Sequence, residues 1–148
     1  MGTWANDPFG NDIACDWVFD LLKKAKSWGF RNQSLAFIRA TLEEALSADE
    51  DCLNARVADR AIAAADTVAR LRGHFFEKNA YTKSLDAWVE KQTAPVPQEL
   101  VALALSSIDR ILTEPSELVD LWEESGEAES WKIQIEGLRE RLKAAPIR

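Results

Sequence analysis

The sequence predicts an all-α fold: a single-domain bundle or orthogonal array of six to seven helices over residues 1–148. Three observations predict it. Apolar residues recur at three- and four-residue spacing along almost the whole chain, and no segment alternates as a strand does. Glycine, proline and capping side chains interrupt that pattern at intervals that leave only short loops. The 148 residues, 47% hydrophobic and 29% charged, suit one globular domain with its own core.

The first helix is expected from about Asn11 to Trp28. Ile13, Trp17, Leu21 and Ala25 repeat along one face, with Ala14, Val18 and Leu22 beside them. Asn11 or Asp12 supplies the N-cap and Gly29 the stop. The second helix spans roughly Gln33 to Leu46, with Leu35, Ile38, Leu42, Ala45 and Leu46 inward. Ser47 to Asp51 reads as a turn, one of whose acids caps the third helix. That helix, about Cys52 to Arg72, carries the stripe Leu53, Val57, Ala61, Val68 and Leu71. It also carries a row of small side chains, Ala58, Ala61, Ala65 and Ala69. Small residues let helix axes approach closely, so this helix is expected at the centre. Gly73 ends it.

Residues 74–81 read as irregular and aromatic, with Phe75, Phe76 and Tyr81. A short helix capped by Thr82 turns Leu85, Trp88 and Val89 inward. Pro95 and Pro97 break the chain, and Pro97 suits the first position of a fifth helix running to about Leu112. Pro115 ends that helix. Ser116 caps a short sixth helix carrying Leu118, Leu121 and Trp122, which Gly126 terminates. The last helix packs Trp131, Ile135, Leu138 and Leu142 inward. Helices this amphipathic depend on tertiary packing more than on propensity.

The net charge of −7 argues against a nucleic-acid footprint, which needs a basic stripe, and against docking on an anionic membrane. It suits cytoplasmic solubility or a basic protein partner. No apolar run is long enough to span a bilayer. No secretory leader is expected, and Asn6 stands where a myristoylation motif wants Ser or Thr. Cys15 and Cys52 form no CxxC or Cys/His pattern, so no zinc site is expected. They read as free, buried, small apolar side chains, with a pairing left open. The six tryptophans fit an aromatic groove or core anchors, and core anchors are the preferred account.

Four groups are candidate sites. Asp12, Asp16 and Asp20 share one side of the first helix and could help hold a hard cation, given ligands from elsewhere. The ordinary account gives Asp12 to the helix dipole, Asp16 to a local pair and Asp20 to solvent. The stretch from Glu114 to Glu129 has seven acids and no Lys or Arg. Its Glu117, Asp120, Glu123, Glu124 and Glu127 form the candidate surface for a basic partner, with a solvated face as the plain alternative. His74, the single histidine, lies just past a helix end and reads as a C-terminal cap or surface group rather than a catalyst. Arg56, Arg60, Arg70 and Arg72 could bind phosphate, but internal salt bridges to acids such as Asp59 and Asp66 are the ordinary account. No Gly-rich phosphate loop or nucleophile elbow is present.

Gly2-Thr3-Trp4, Phe9, Asn11-Asp12, Ala14 and Asp16-Trp17 open a pattern that continues through Ala61–Ala65, Leu71 and Gly73. Ser116-Glu117-Leu118, Leu121-Trp122, Trp131, Leu138 and Arg141-Leu142 complete it. Over nearly the whole chain this resembles a bacterial family of small helical proteins, domain-of-unknown-function family 4259. Ala5 and Asn6 depart from it where relatives tend towards glycine. The resemblance implies the helical fold and a bacterial origin, and it carries no catalytic residue. On physical grounds Trp4 and Phe9 are expected to fold over the first helix beside Trp17. Asp16 is expected to accept hydrogen bonds from that loop as a latch.

The functional expectation is a non-catalytic binding module, such as an immunity or antitoxin-like inhibitor of a basic, toxin-like partner. It has no cofactor or metal, and it is a monomer or homodimer. The alternatives are a small metal-dependent hydrolase on Asp12, Asp16 and Asp20, and a homo-oligomeric structural protein.

Overall fold

The computed structural model describes residues 7–28, 31–48, 51–76 and 78–147. Among them run seven helices: α1 (Asp12–Trp28), α2 (Arg31–Leu46), α3 (Ala55–Leu71), α4 (Lys83–Glu90), α5 (Gln98–Leu112), α6 (Glu117–Ser125) and α7 (Ala128–Lys143). The expected all-α architecture is therefore observed. Gly2-Thr3-Trp4, the Gly29 stop, the acids Asp49 and Glu50 and the Trp28 side chain lie outside what is described.

Asn11 is the cap of α1. Its Oδ1 accepts the Ala14 N–H at 2.8 Å, which satisfies one of the orphan donors of a helix start. Trp17 is buried, stacks on Phe37 of α2 at 5.5 Å between ring centroids, and donates its Nε1–H to Thr41 Oγ1 at 2.8 Å. The largest side chain of α1 thereby fixes the α1–α2 pair without leaving a buried donor unpaired.

α3 touches all six other helices. Ala58, Ala61, Ala65 and Ala69 are completely buried, so the row of small side chains is the middle of the molecule, as its composition predicts. The helix starts later than the sequence suggests. Leu53 is extended and forms a parallel bridge to Ser116, which excludes it from a helix. Asn54 then caps α3, accepting the Arg56 and Val57 N–H groups at 2.9 and 3.4 Å. The cap is thus not an acid of the preceding turn. Cys52 lies exposed in the loop rather than buried in a helix, and Cys15 is half-buried; both are free thiols.

The C-terminal end of α3 closes as a Schellman motif. Gly73 N–H bonds to the Arg70 carbonyl at 2.9 Å and His74 N–H to the Ala69 carbonyl at 3.0 Å. Gly73 adopts φ 94°, a left-handed conformation that glycine enters without steric cost.

The fifth and sixth helices depart from expectation in their caps. Pro97 sits at the N-cap of α5 with ψ 136°, one residue outside the helix. Ser116 precedes α6, but its hydroxyl makes no cap bond. It is buried, with no hydrogen-bond partner among the described residues, because the backbone there is drawn into the bridge with Leu53. α7 buries Trp131, Ile135, Leu138 and Leu142, the four positions its spacing predicts. No helix is long and apolar enough to cross a membrane among the described residues.

Candidate partner-docking surface

α6 is anchored by both of its ends. At its start, Leu53 N–H donates to the Pro115 carbonyl at 3.1 Å and Glu117 N–H to the Leu53 carbonyl at 2.9 Å. The Arg110 guanidinium gathers carbonyls around this joint: Thr113 at 2.9 Å, Pro115 at 3.1 Å and Asp51 at 2.6 Å. Lone carbonyls near the end of α5 thereby gain a charged donor. At its far end, Gly126 turns the chain at φ 81° into α7. Trp122 stacks on Trp131 across the turn, ring centroids 6.0 Å apart. Leu118 and Val119 are buried beneath. The opposite face of α6 therefore points to solvent.

The five expected partner-binding residues do not fare alike. Glu117 is held internally: its Oε1 accepts the Ala55 N–H at 2.8 Å, so it serves the start of α3. Asp120 and Glu124 are exposed, on the same outward face as Leu121, which is 48% exposed. Glu123 is exposed and lies 3.9 Å from Lys132. Glu127 is exposed and occupies the N-cap position of α7 without a side-chain bond. Oxygens of Glu114, Asp120 and Glu123 converge within 4.8 Å of one another. Glu114 joins this group because the fold of the loop after α5 brings it beside Asp120 and Glu123. A hydrogen bond from Glu114, then slight desolvation and its charge, push the Asp120 carboxyl above the usual carboxylate range.

The other candidates separate cleanly. Asp12, Asp16 and Asp20 are all exposed. Among the described residues the acids that converge are Glu114, Asp120 and Glu123, not the Asp row. His74 is the C″ residue of the Schellman motif, and its Nε2–H reaches the Ala145 carbonyl at 2.6 Å. The latch of Trp4 onto the first helix lies outside the described residues. Phe9 is buried, and its ring sits against the Arg70 guanidinium at 5.3 Å.

The internal-pair account holds for Arg60 and Arg70; Arg72 instead meets a backbone carbonyl, and Arg56 is exposed. Arg60 lies 3.8 Å from Glu44, and Arg72 donates to the Leu142 carbonyl. Arg70 is almost fully buried and belongs to a network the sequence did not reveal. Its Nε donates to Asp66 Oδ1 at 2.6 Å and its Nη1 to Asp86 Oδ1 at 2.5 Å. Arg141 Nη2 donates to Asp66 Oδ2 at 2.6 Å, and Thr82 Oγ1 to Asp86 Oδ2 at 2.8 Å. Two cations and two anions from α3, α4 and α7 thus balance inside the protein. Burial pulls the Arg70 pKa down, but Asp66 and Asp86 outweigh it and raise it. Asp66 and Arg70 are at helical i, i+4 spacing, which was the one readable signal. Nothing in the sequence marked Asp86 or Arg141 as their partners.

On the same face of α3, two turns before Asp66, stands Asp59. Burial pushes its carboxyl up to about 7, against the opposing pull of Arg60.

The model of the family described as a domain of unknown function (DUF4259) matches residues 2–134. The chain belongs to this family. No curated protein and no solved structure gives a significant match. The matched span takes in the whole of α1 to α6 and the bridge between Leu53 and Ser116. Within the DUF4259 region, Phe9, Trp17, Leu118 and Trp131 are buried, and Glu117 accepts the first N–H of α3. Much of the resemblance in sequence is thus carried by residues that hold the fold.

Proposed function

We propose that the chain is a non-catalytic protein-binding module, of the immunity or antitoxin kind, that receives a basic partner on the outward face of α6. The observation that carries this reading is the convergence of Glu114, Asp120 and Glu123 within 4.8 Å on an exposed surface. Lys132 lies in ion-pair range of Glu123 in that group. Carboxylates crowded this way repel one another, and a cationic partner relieves the repulsion. Leu121, exposed on the same face, offers an apolar contact that charge alone would not give. Such a surface speeds encounter through its field and gains affinity from the apolar centre.

The test is affinity capture with a variant alongside. Asp120→Lys/Glu124→Lys is the right pair, since Glu117 is engaged with Ala55. A basic protein retained by the wild type and lost by the variant, and lost again at high salt, supports the reading. Identical capture by both proteins removes it.

A second reading rests on the same three carboxylates, which could hold a hard divalent cation. A rise in melting temperature with millimolar Mg²⁺ or Mn²⁺, absent in Asp120→Asn, supports it. An unchanged melting temperature removes it.

A further inference from the structure

α7 presents an outward face for which nothing among the described residues accounts. Gly137 lies in the middle of this helix, where glycine costs roughly 0.5–1 kcal/mol relative to alanine. Among the described residues, a Cβ at Gly137 would meet no atom within 4 Å. Neither a packing neighbour nor a left-handed backbone requires glycine there. One turn earlier on the same face, Ile133 is 68% exposed. Three of the basic side chains of the helix are engaged, Lys132 with Glu123, Arg139 with Asp109 and Glu136, and Arg141 with Asp66, while Lys143 is exposed at its C-terminal end. The outward face carries Glu129, Glu136 and Glu140, all exposed, with Glu136 also 3.4 Å from Arg139. It therefore has an apolar centre, an acidic border and a point where the backbone is bare.

We infer that this face of α7 docks a basic amphipathic helix of another protein, which crosses α7 at Gly137 and covers Ile133. The inference rests on the reading of the chain as a binder of a basic protein, and it adds the shape of the partner's segment and a second contact. Interaxial distance between packed helices is set by the side chains at the crossing, and a bare backbone allows a close one. Charge decides the occupant. A second copy of this chain would bring its own Glu129, Glu136 and Glu140 against the same residues, and like charges in contact oppose association. A helix with lysine or arginine flanking an apolar stripe meets both the isoleucine and its acidic border.

The experiment titrates the folded protein with a synthetic helical peptide, leucine on one face and lysine on the other, and maps amide shifts by NMR. The expected result is a cluster of shifts along α7 around Ile133 and Gly137. Ile133→Asp and Gly137→Leu should each weaken binding about tenfold, the loss of one buried aliphatic contact. Both sites are exposed, so both variants should keep the wild-type spectrum elsewhere. Ile133→Asp is the decisive variant, because simple charge attraction would make it bind the basic peptide more tightly. Tighter binding by Ile133→Asp overturns the inference. Shifts confined to α6 overturn it while leaving the proposed function standing. Shifts at neither helix overturn both.

Discussion

Arg141 donates to the second carboxylate oxygen of Asp66 across 75 positions of sequence, at 2.6 Å. Asp66 is fully buried, and its first oxygen is already taken by Arg70. One carboxylate therefore joins the penultimate turn of α3 to the last turn of α7, and through Arg70 to Asp86 on α4. Phe9 and Phe75 lie over Arg70, at 5.3 and 5.7 Å, and Phe76 over Arg141 at 5.4 Å. The guanidinium faces are thus covered by rings while their edges donate hydrogen bonds.

Removing the centre of this network should be costly. Asp66→Ala leaves Arg70 without one buried partner and Arg141 without its carboxylate, a loss of about 3–5 kcal/mol for a broken buried pair. Urea unfolding reads it directly. A loss below about 1 kcal/mol would place the network with surface ion pairs in energetic weight.

The Asp59 carboxyl should make stability depend on pH. Its folded pKa is raised from 3.8 to about 7, so the folded state keeps a proton that the unfolded chain releases at lower pH. The associated stability is present in full below about 4 and is lost as pH rises through about 7. Asp59→Asn abolishes this dependence. Its stability relative to wild type should rise between pH 5 and pH 8 by about 2 kcal/mol, allowing for partial screening of a carboxyl that is not fully enclosed. Equal differences at both pH values would show that Asp59 ionises freely.

Two glycines should respond oppositely to the same change. Gly126 holds φ 81°, so Gly126→Ala should cost about 1–2 kcal/mol in left-handed strain. Gly137 is helical with open space beside it, so Gly137→Ala should gain up to about 1 kcal/mol. Thermal melts of the two variants give opposite signs, or the assignment of one of them is wrong.

Glu117 and Glu124 lie seven residues apart on one helix and should differ in stability effect. Glu117→Ala removes the acceptor for the Ala55 N–H and should cost about 1 kcal/mol, as loss of a helix cap does. Glu124→Ala, on an exposed face, should change stability by less than about 0.5 kcal/mol. Denaturant midpoints of the two variants test the difference.

The helices were legible because their apolar periods are regular. All four inward positions of α7 and the small-residue face of α3 follow from spacing alone. What escaped was the pairing of distant polar groups. Asp66 and Arg70 could be read as neighbours on a helix, but Asp86 and Arg141 meet them only because α4 and α7 converge on one end of α3. The cap of α3 was misplaced for a related reason. Leu53 looks helical by hydropathy, yet its backbone is drawn out to pair with residues at the start of α6. The acidic stretch was legible as composition. Its division into a structural Glu117 and an exposed cluster of Glu114, Asp120 and Glu123 was not, because that depends on which loop lies beside α3.

The alanine-lined centre gives this protein an uneven tolerance to inheritance. At Ala58, Ala61, Ala65 and Ala69 there is almost no side chain left to delete, so cavities are not the danger there. Most single-nucleotide changes to an alanine codon instead install a larger or charged group, and a close-packed interior resists additions. Drift can therefore rewrite the outer helices in many small steps, while the genetic code offers α3 few changes that the fold will accept.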